Sequence, residues 1–157
     1  MTSAVKEQIK ATWTTKELQE TVSKVLVNNY MINTKMFEKL TPELRNEWYD
    51  MIAESKANHY MSLNVKTPLE LVKAMAEFES NVFGSKIIIS GDDHKASMEY
   101  EECGCWNMMQ KSTCFTPEMG EKLGNCFKTM TEHLSKKFSF KHELVMDEKG
   151  AKITFIK

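Results

Sequence analysis

The sequence predicts an α+β fold: an N-terminal helical layer followed by a ββαββ antiparallel sheet with one covering helix. Three observations point there. Apolar residues recur at three- and four-residue steps as far as Phe83, the signature of helices with one buried face. After Gly84 the period drops to two, as in half-buried strands. Each of the three prolines follows a threonine, at Thr41-Pro42, Thr67-Pro68 and Thr116-Pro117. Thr caps a helix by accepting from an unpaired N–H of the first turn, and Pro at the first helical position gives up an N–H that has no helical partner.

In chain order, Leu18, Val22, Val25, Leu26, Ile32, Met36 and Phe37 predict an amphipathic helix from Thr15 to Lys39, capped by Thr14 or Thr15, with those residues as its inward stripe. A short helical segment over Val5 to Trp13 precedes it. The second helix runs from Pro42 to Leu63, with Leu44, Trp48, Met51, Ile52, Tyr60 and Leu63 apolar. The third runs from Pro68 to Phe83, with Leu71, Val72, Met75, Phe78 and Val82 inward, Thr67 and Glu70 forming a capping box, and Gly84 ending it. Lys86 to Ser90 and the alternating Ala96, Met98 and Tyr100 form a hairpin about Gly91-Asp92-Asp93-His94 with one wet face. Pro117 opens a helix to Lys136, and Phe138–Met146 with Ile153–Ile156 form a closing hairpin.

The 157 residues fit a single domain, with the helical layer over 1–84 and the ββαββ part over 85–157. Apolar content of 41% is too high for a disordered chain. A net charge of -1, with no basic segment, argues against a nucleic-acid partner. Apolar runs fall far short of the roughly 20 residues of a membrane span. The charged N-terminus is unlike a signal peptide, so a cytoplasmic location is expected.

The chemistry of the chain concentrates in four cysteines, at 103, 105, 114 and 126. Cys103-Gly104-Cys105 ends the second strand, where thiols two apart share a face. Cys114 precedes the helix that Pro117 opens, and Cys126 lies on that helix's apolar stripe. Thiolates at 103, 105 and 114, with Glu102, Glu101, His94 or His133, would bind zinc. Cys114 or Cys105 as a thiolate would instead be a nucleophile or redox thiol, Cys114 by virtue of its helix N-terminus. An iron–sulfur cluster lacks its usual cysteine runs. The plain alternative is that all four are small buried hydrophobes in a reduced protein.

The segment Tyr100-Glu101-Glu102-Cys103-Gly104-Cys105-Trp106 to Cys114-Phe115-Thr116-Pro117, set between a helical layer and a closing hairpin, resembles a known superfamily. It includes the L-2-amino-thiazoline-4-carboxylic acid hydrolase-like proteins and the bacteriochlorophyll vinyl-reductase-type domains. The resemblance implies zinc held by Glu102, Cys105 and Cys114, and hydrolysis of a small heterocyclic or amino-acid-derived substrate. The chain departs from many hydrolase-like members in having Ile153-Thr154-Phe155 where they carry a further cysteine. Fold does not carry activity with it.

Other residues bear on the same reading. His59 sits beside Tyr60 as a pocket acid–base or a boundary histidine. Gly120 and Gly124 share one side of the last helix, for tight packing or ligand room. Trp106, Met108 and Met109 put large apolar groups in a loop over 103–115, where they must cover a ligand, a helix or another subunit. Together these place an apolar small-molecule pocket, lined by His59, Trp106, Met108 and Met109, between the N-terminal helices and the sheet. Either a metal-bound water or a Cys105/Cys114 thiolate would react there. A non-catalytic ligand sensor with a structural zinc site is the alternative, and a homo-oligomer through the Trp106–Met109 loop is compatible with both.

Overall fold

The computed structural model describes residues 13–113, 115–147 and 150–157. The segment expected over Val5–Trp13 lies, but for Trp13, outside them, as do Cys114, Glu148 and Lys149. Nine elements follow in order: α1 (Thr15–Phe37), α2 (Pro42–Ser62), α3 (Pro68–Phe83), β1 (Lys86–Gly91), β2 (Lys95–Glu102), α4 (Gly104–Gln110), α5 (Pro117–Lys137), β3 (Lys141–Asp147) and β4 (Gly150–Ile156). This is the α+β order expected, with one helix more.

Helix starts are where the threonines put them. Thr14, Thr41, Thr67 and Thr116 each accept a hydrogen bond from a backbone N–H three residues on, at 3.2–3.4 Å. Thr14 with Glu17 and Thr67 with Glu70 complete reciprocal capping boxes. Gly84 ends α3 at a φ of 68°, a left-handed conformation that costs glycine nothing.

The four strands form one antiparallel sheet in the order β1-β2-β4-β3. Ala96, Met98 and Tyr100 of β2 and Ile153 and Phe155 of β4 point to its buried face, as the period-two pattern requires. Helix α5 packs on β3, and α3, from the N-terminal layer, packs on β1 and β2. Leu71, Val72, Met98, Leu134, Ile153 and Phe155 meet there in the main core, each fully buried.

A second core joins Val27 and Met31 of α1, Phe83, Met109 of α4 and Met119 of α5. It corrects the expected loop over 103–115. Residues Gly104–Gln110 are helical, and Met109 is buried while Trp106 and Met108 are half-buried against α1 and α5. Neighbouring helices thus cover that apolar run.

The inward stripe of α1 is also not the one expected. Ser23, Val27, Met31, Thr34 and Phe37 are buried, whereas Leu18, Val22, Val25, Ile32 and Met36 face outward. The hydroxyls on the buried side are satisfied locally. Thr34 Oγ1 donates to the Tyr30 carbonyl at 2.9 Å, and the Ser23 hydroxyl meets the carbonyls of Gln19 and Val82. Small satisfied side chains let the helices approach closely, which longer apolar groups would prevent. In α2 the same logic buries Ala53, Ala57 and Tyr60 and leaves Leu44, Met51 and Leu63 exposed. Phe78 of α3, expected inward, is 40% exposed.

Candidate functional site

The two described strand-end cysteines are built in by a close backbone contact. A Cβ on Gly104 would stand 1.9 Å from the Phe83 carbonyl oxygen and 3.2 Å from the Ser85 amide, so only glycine lets α4 start there. The Gly104 N–H donates to Ser85 Oγ at 3.0 Å. Cys103 Sγ caps α4, accepting from the Trp106 N–H at 3.4 Å. Cys103 then packs against the main core and Cys105 against the second one.

Around that start of α4, ionisable groups from five elements converge: Tyr30 of α1, Lys56 and Tyr60 of α2, Glu79 of α3, Tyr100 of β2, and Cys105 of α4 itself. Lys56, Glu79, Tyr30, Cys103 and Cys105 are half-buried, so each keeps an edge reachable from solvent. Burial is the leading cause of every shift here. It raises Glu79 to about 7, opposed by the Lys56 charge and by a hydrogen bond from Ser85. It lowers Lys56, opposed by the charges of Glu79 and Cys105. Tyr30 and Tyr60 rise to about 12. Lys56 makes no hydrogen bond or ion pair with any described residue, although the Glu79 charge is the larger of the two that act on it.

The cysteines are held neutral. Burial, the neighbouring Cys103 and the Glu79 charge all push the Cys105 thiol well above its usual range, and burial raises Cys103. This environment opposes the loss of the Cys105 proton that a thiolate nucleophile would require. Cys114, its expected partner, lies outside the described residues. Cys126 accepts from Tyr49 Oη at 3.0 Å between α2 and α5, away from this cluster.

The zinc set does not assemble among the described residues. No three His, Cys, Asp or Glu side chains converge there. Glu102 turns outward, paired with Lys86 at 2.7 Å and accepting from Asn107 Nδ2 at 3.2 Å. His133 is buried against Asp50 of α2 at 3.2 Å, and His94 is exposed in the β1–β2 turn. Among the described residues Glu102, Cys103 and Cys105 form no metal-holding group, and Cys114, the remaining expected donor, lies outside them.

Of the four expected pocket residues, Trp106, Met108 and Met109 meet in the second core and His59 stands apart from them. His59 is exposed on α2, its ring 5.6 Å from that of Tyr60, and takes no part in the cluster. Met108 and Met109 belong to the second core. Trp106 alone borders open space, a groove of about 550 Å³ that it shares with Phe115, Gly120, Gly124 and Met146. Gly120 forms its floor, since a Cβ there would stand 2.9 Å from the Trp106 ring.

Lys56 and Glu79 were missed by sequence reasoning, although a signal exists. Glu79 falls four residues after Met75 and four before Phe83, on the apolar stripe of α3, and Lys56 falls three after Ala53 and four before Tyr60. A charge on an inward stripe needs a reason.

No family model matches the chain, and no curated protein matches it. The superfamily resemblance thus rests on the quoted residues alone. Among solved structures, the chain is similar to a point mutant of an H-NOX protein from K. algicida, crystallised as Fe(II) unliganded. The identity is 15% and the TM-score 0.37, over 94% of this chain and 75% of that one. So distant a likeness leaves the site to be argued from this chain's own residues.

Proposed function

We propose that the chain binds a small molecule carrying an anionic group, a carboxylate being the simplest, at the cluster around Lys56, Glu79 and Cys105. One observation carries this reading: the Lys56 amine is half-buried with no hydrogen-bond or ion-pair partner among the described residues, and the carboxyl whose charge acts on it, Glu79, is only partly ionised near neutral pH. A partly compensated cation drawn out of water leaves a local positive potential. A bound carboxylate would complete it, while Tyr30 and Tyr60 supply apolar walls with polar tips.

The non-catalytic sensor reading is supported better than the hydrolase-like one. A thiol-dependent hydrolysis needs the Cys105 proton removed, and both burial and the Glu79 charge oppose that.

The test is a panel of amino acids and small heterocyclic carboxylates, followed by calorimetry and thermal shift on wild type and Lys56→Met. Wild type should bind at least one member. Lys56→Met should lose that binding while gaining about 1 kcal/mol of stability, since an apolar side chain of similar length no longer has a charge to desolvate. Unchanged binding by Lys56→Met, or a panel with no binder, overturns the reading.

A further inference from the structure

Helix α1 carries two apolar stripes, and the described residues bury only one. The outward stripe runs Leu18, Val22, Val25, Asn29, Ile32, Met36, with steps of four, three, four, three and four. That is an unbroken heptad seam, with Leu18, Val25 and Ile32 at d positions and Val22, Asn29 and Met36 at a positions. Its apolar members are 38–58% exposed. The seam is about 27 Å long at 1.5 Å per residue. It lies about 160° round the helix from the buried stripe, taking 3.6 residues per turn.

We infer that α1 pairs with α1 of a second copy of this chain, as a parallel two-stranded coiled coil along Leu18–Met36. Four features of the helix select a second copy as occupant. The spacing is that of a seam whose knobs fill the holes of an identical helix. Asn29 is the one polar residue on it, at an a position, where in a parallel pair it faces its own counterpart and fixes register and strand number at some cost in stability. The flanking positions bring no like charges together, because Thr21, Leu26, Asn28 and Asn33 are neutral and Lys35 is a single cation. Finally, the two domain bodies hang from the opposite side of α1, so a two-fold axis along the seam keeps them apart.

The energetics favour such a pair more than they would two free peptides of this length. In proteins most helical stability comes from packing of an apolar face rather than from propensity. Here the helix is already formed by a capping box at Thr14 and by burial of Val27, Met31 and Phe37, so association does not bear the cost of ordering it. Only the side chains of the seam must be fixed.

The experiment is sedimentation of the full chain across the micromolar range, with two variants. Wild type should be a dimer, and Val25→Glu combined with Ile32→Glu should be a monomer with unchanged circular dichroism, because both sites are exposed in the single copy. Asn29→Val, which only adds apolar surface to the seam, should tighten the dimer by about tenfold or raise its strand number. A monomeric wild type overturns the inference, whether residues 1–12 cover the seam or nothing does. A dimer that the double glutamate variant and Asn29→Val both leave unchanged also overturns it, since the interface would lie elsewhere.

Discussion

The carboxyl of Glu79 gives the sharpest quantitative expectation. Its folded value near 7 lies above its ordinary 4.5 because burial penalises the charged form more than Lys56 and Ser85 favour it. Between those two values the folded state holds a proton that the unfolded state has lost. Stability from this group is therefore fully present below pH 4.5 and is lost as pH rises through about 7. At about 1.4 kcal/mol per pH unit, the span amounts to about 3 kcal/mol. Glu79 keeps a solvent edge, and screening there brings the expected loss to about 2 kcal/mol. The perturbation is Glu79→Gln, an isostere that stays neutral throughout. Urea unfolding followed by tryptophan fluorescence from pH 5 to 8 should show wild-type stability falling relative to Glu79→Gln, with most of the difference accruing between about pH 5 and 7.5. Lys56 acts with the opposite sign: its lowered value makes stability rise as its proton leaves. The carboxylates held low by their partners, Asp50 and Asp92 among them, lose their contribution only in more acid solution, outside this window. If the two proteins keep parallel stability curves across the neutral range, Glu79 is an ordinary ionised surface carboxylate and the argument for a partly compensated Lys56 fails with it.

Two further expectations concern the scaffold. Gly104→Ala should destabilise by about 2–3 kcal/mol in urea unfolding, since its Cβ would meet the Phe83 carbonyl and α4 would have to shift as a unit. Thr67→Ala, which removes the side-chain half of the α3 capping box, should cost about 1 kcal/mol in the same assay and leave the Glu79-linked fall in stability across the neutral range in place.

The elements were legible because the signals that set them are local. A Thr-Pro start, a glycine in the left-handed region and a change of period are each read within a few residues, and Thr41, Thr67, Thr116 and Gly84 act as their types predict. Helix α4 was not legible, because it is seven residues long and its cap is Cys103, whose sulfur is a weak acceptor compared with the usual capping oxygens. The buried side of α1 was not legible for a different reason. Hydropathy ranks Leu18, Val25 and Ile32 above Ser23 and Thr34, but what decides burial is which side chains allow α3, α4 and α5 to approach. The four cysteines drew attention by type and clustering, whereas the charged pair that organises the cluster sits on two helices 23 residues apart in sequence and needed the tertiary fold to be seen together.

The wiring of Glu79 shows why the cysteine segment matters even without a metal. The Gly104 N–H donates to Ser85 Oγ, and the Ser85 hydroxyl in turn favours the charged form of the Glu79 carboxyl. The hydroxyl can serve both because it has one proton to give and lone pairs to receive. Its position is fixed by the left-handed Gly84 on one side and by the Phe83–Gly104 contact on the other. Cys103, by capping α4, holds the Gly104 amide in place to make that bond. The sequence Cys103-Gly104-Cys105 thus acts through its backbone and its burial: it sets the local dielectric and one hydrogen-bond donor, and those two determine whether the carboxyl facing Lys56 is charged. A substitution that keeps the thiol count but moves α4 should therefore change how Glu79 titrates, whereas Cys103→Ser, which retains a cap and the glycine contact, should leave that titration nearly as it is.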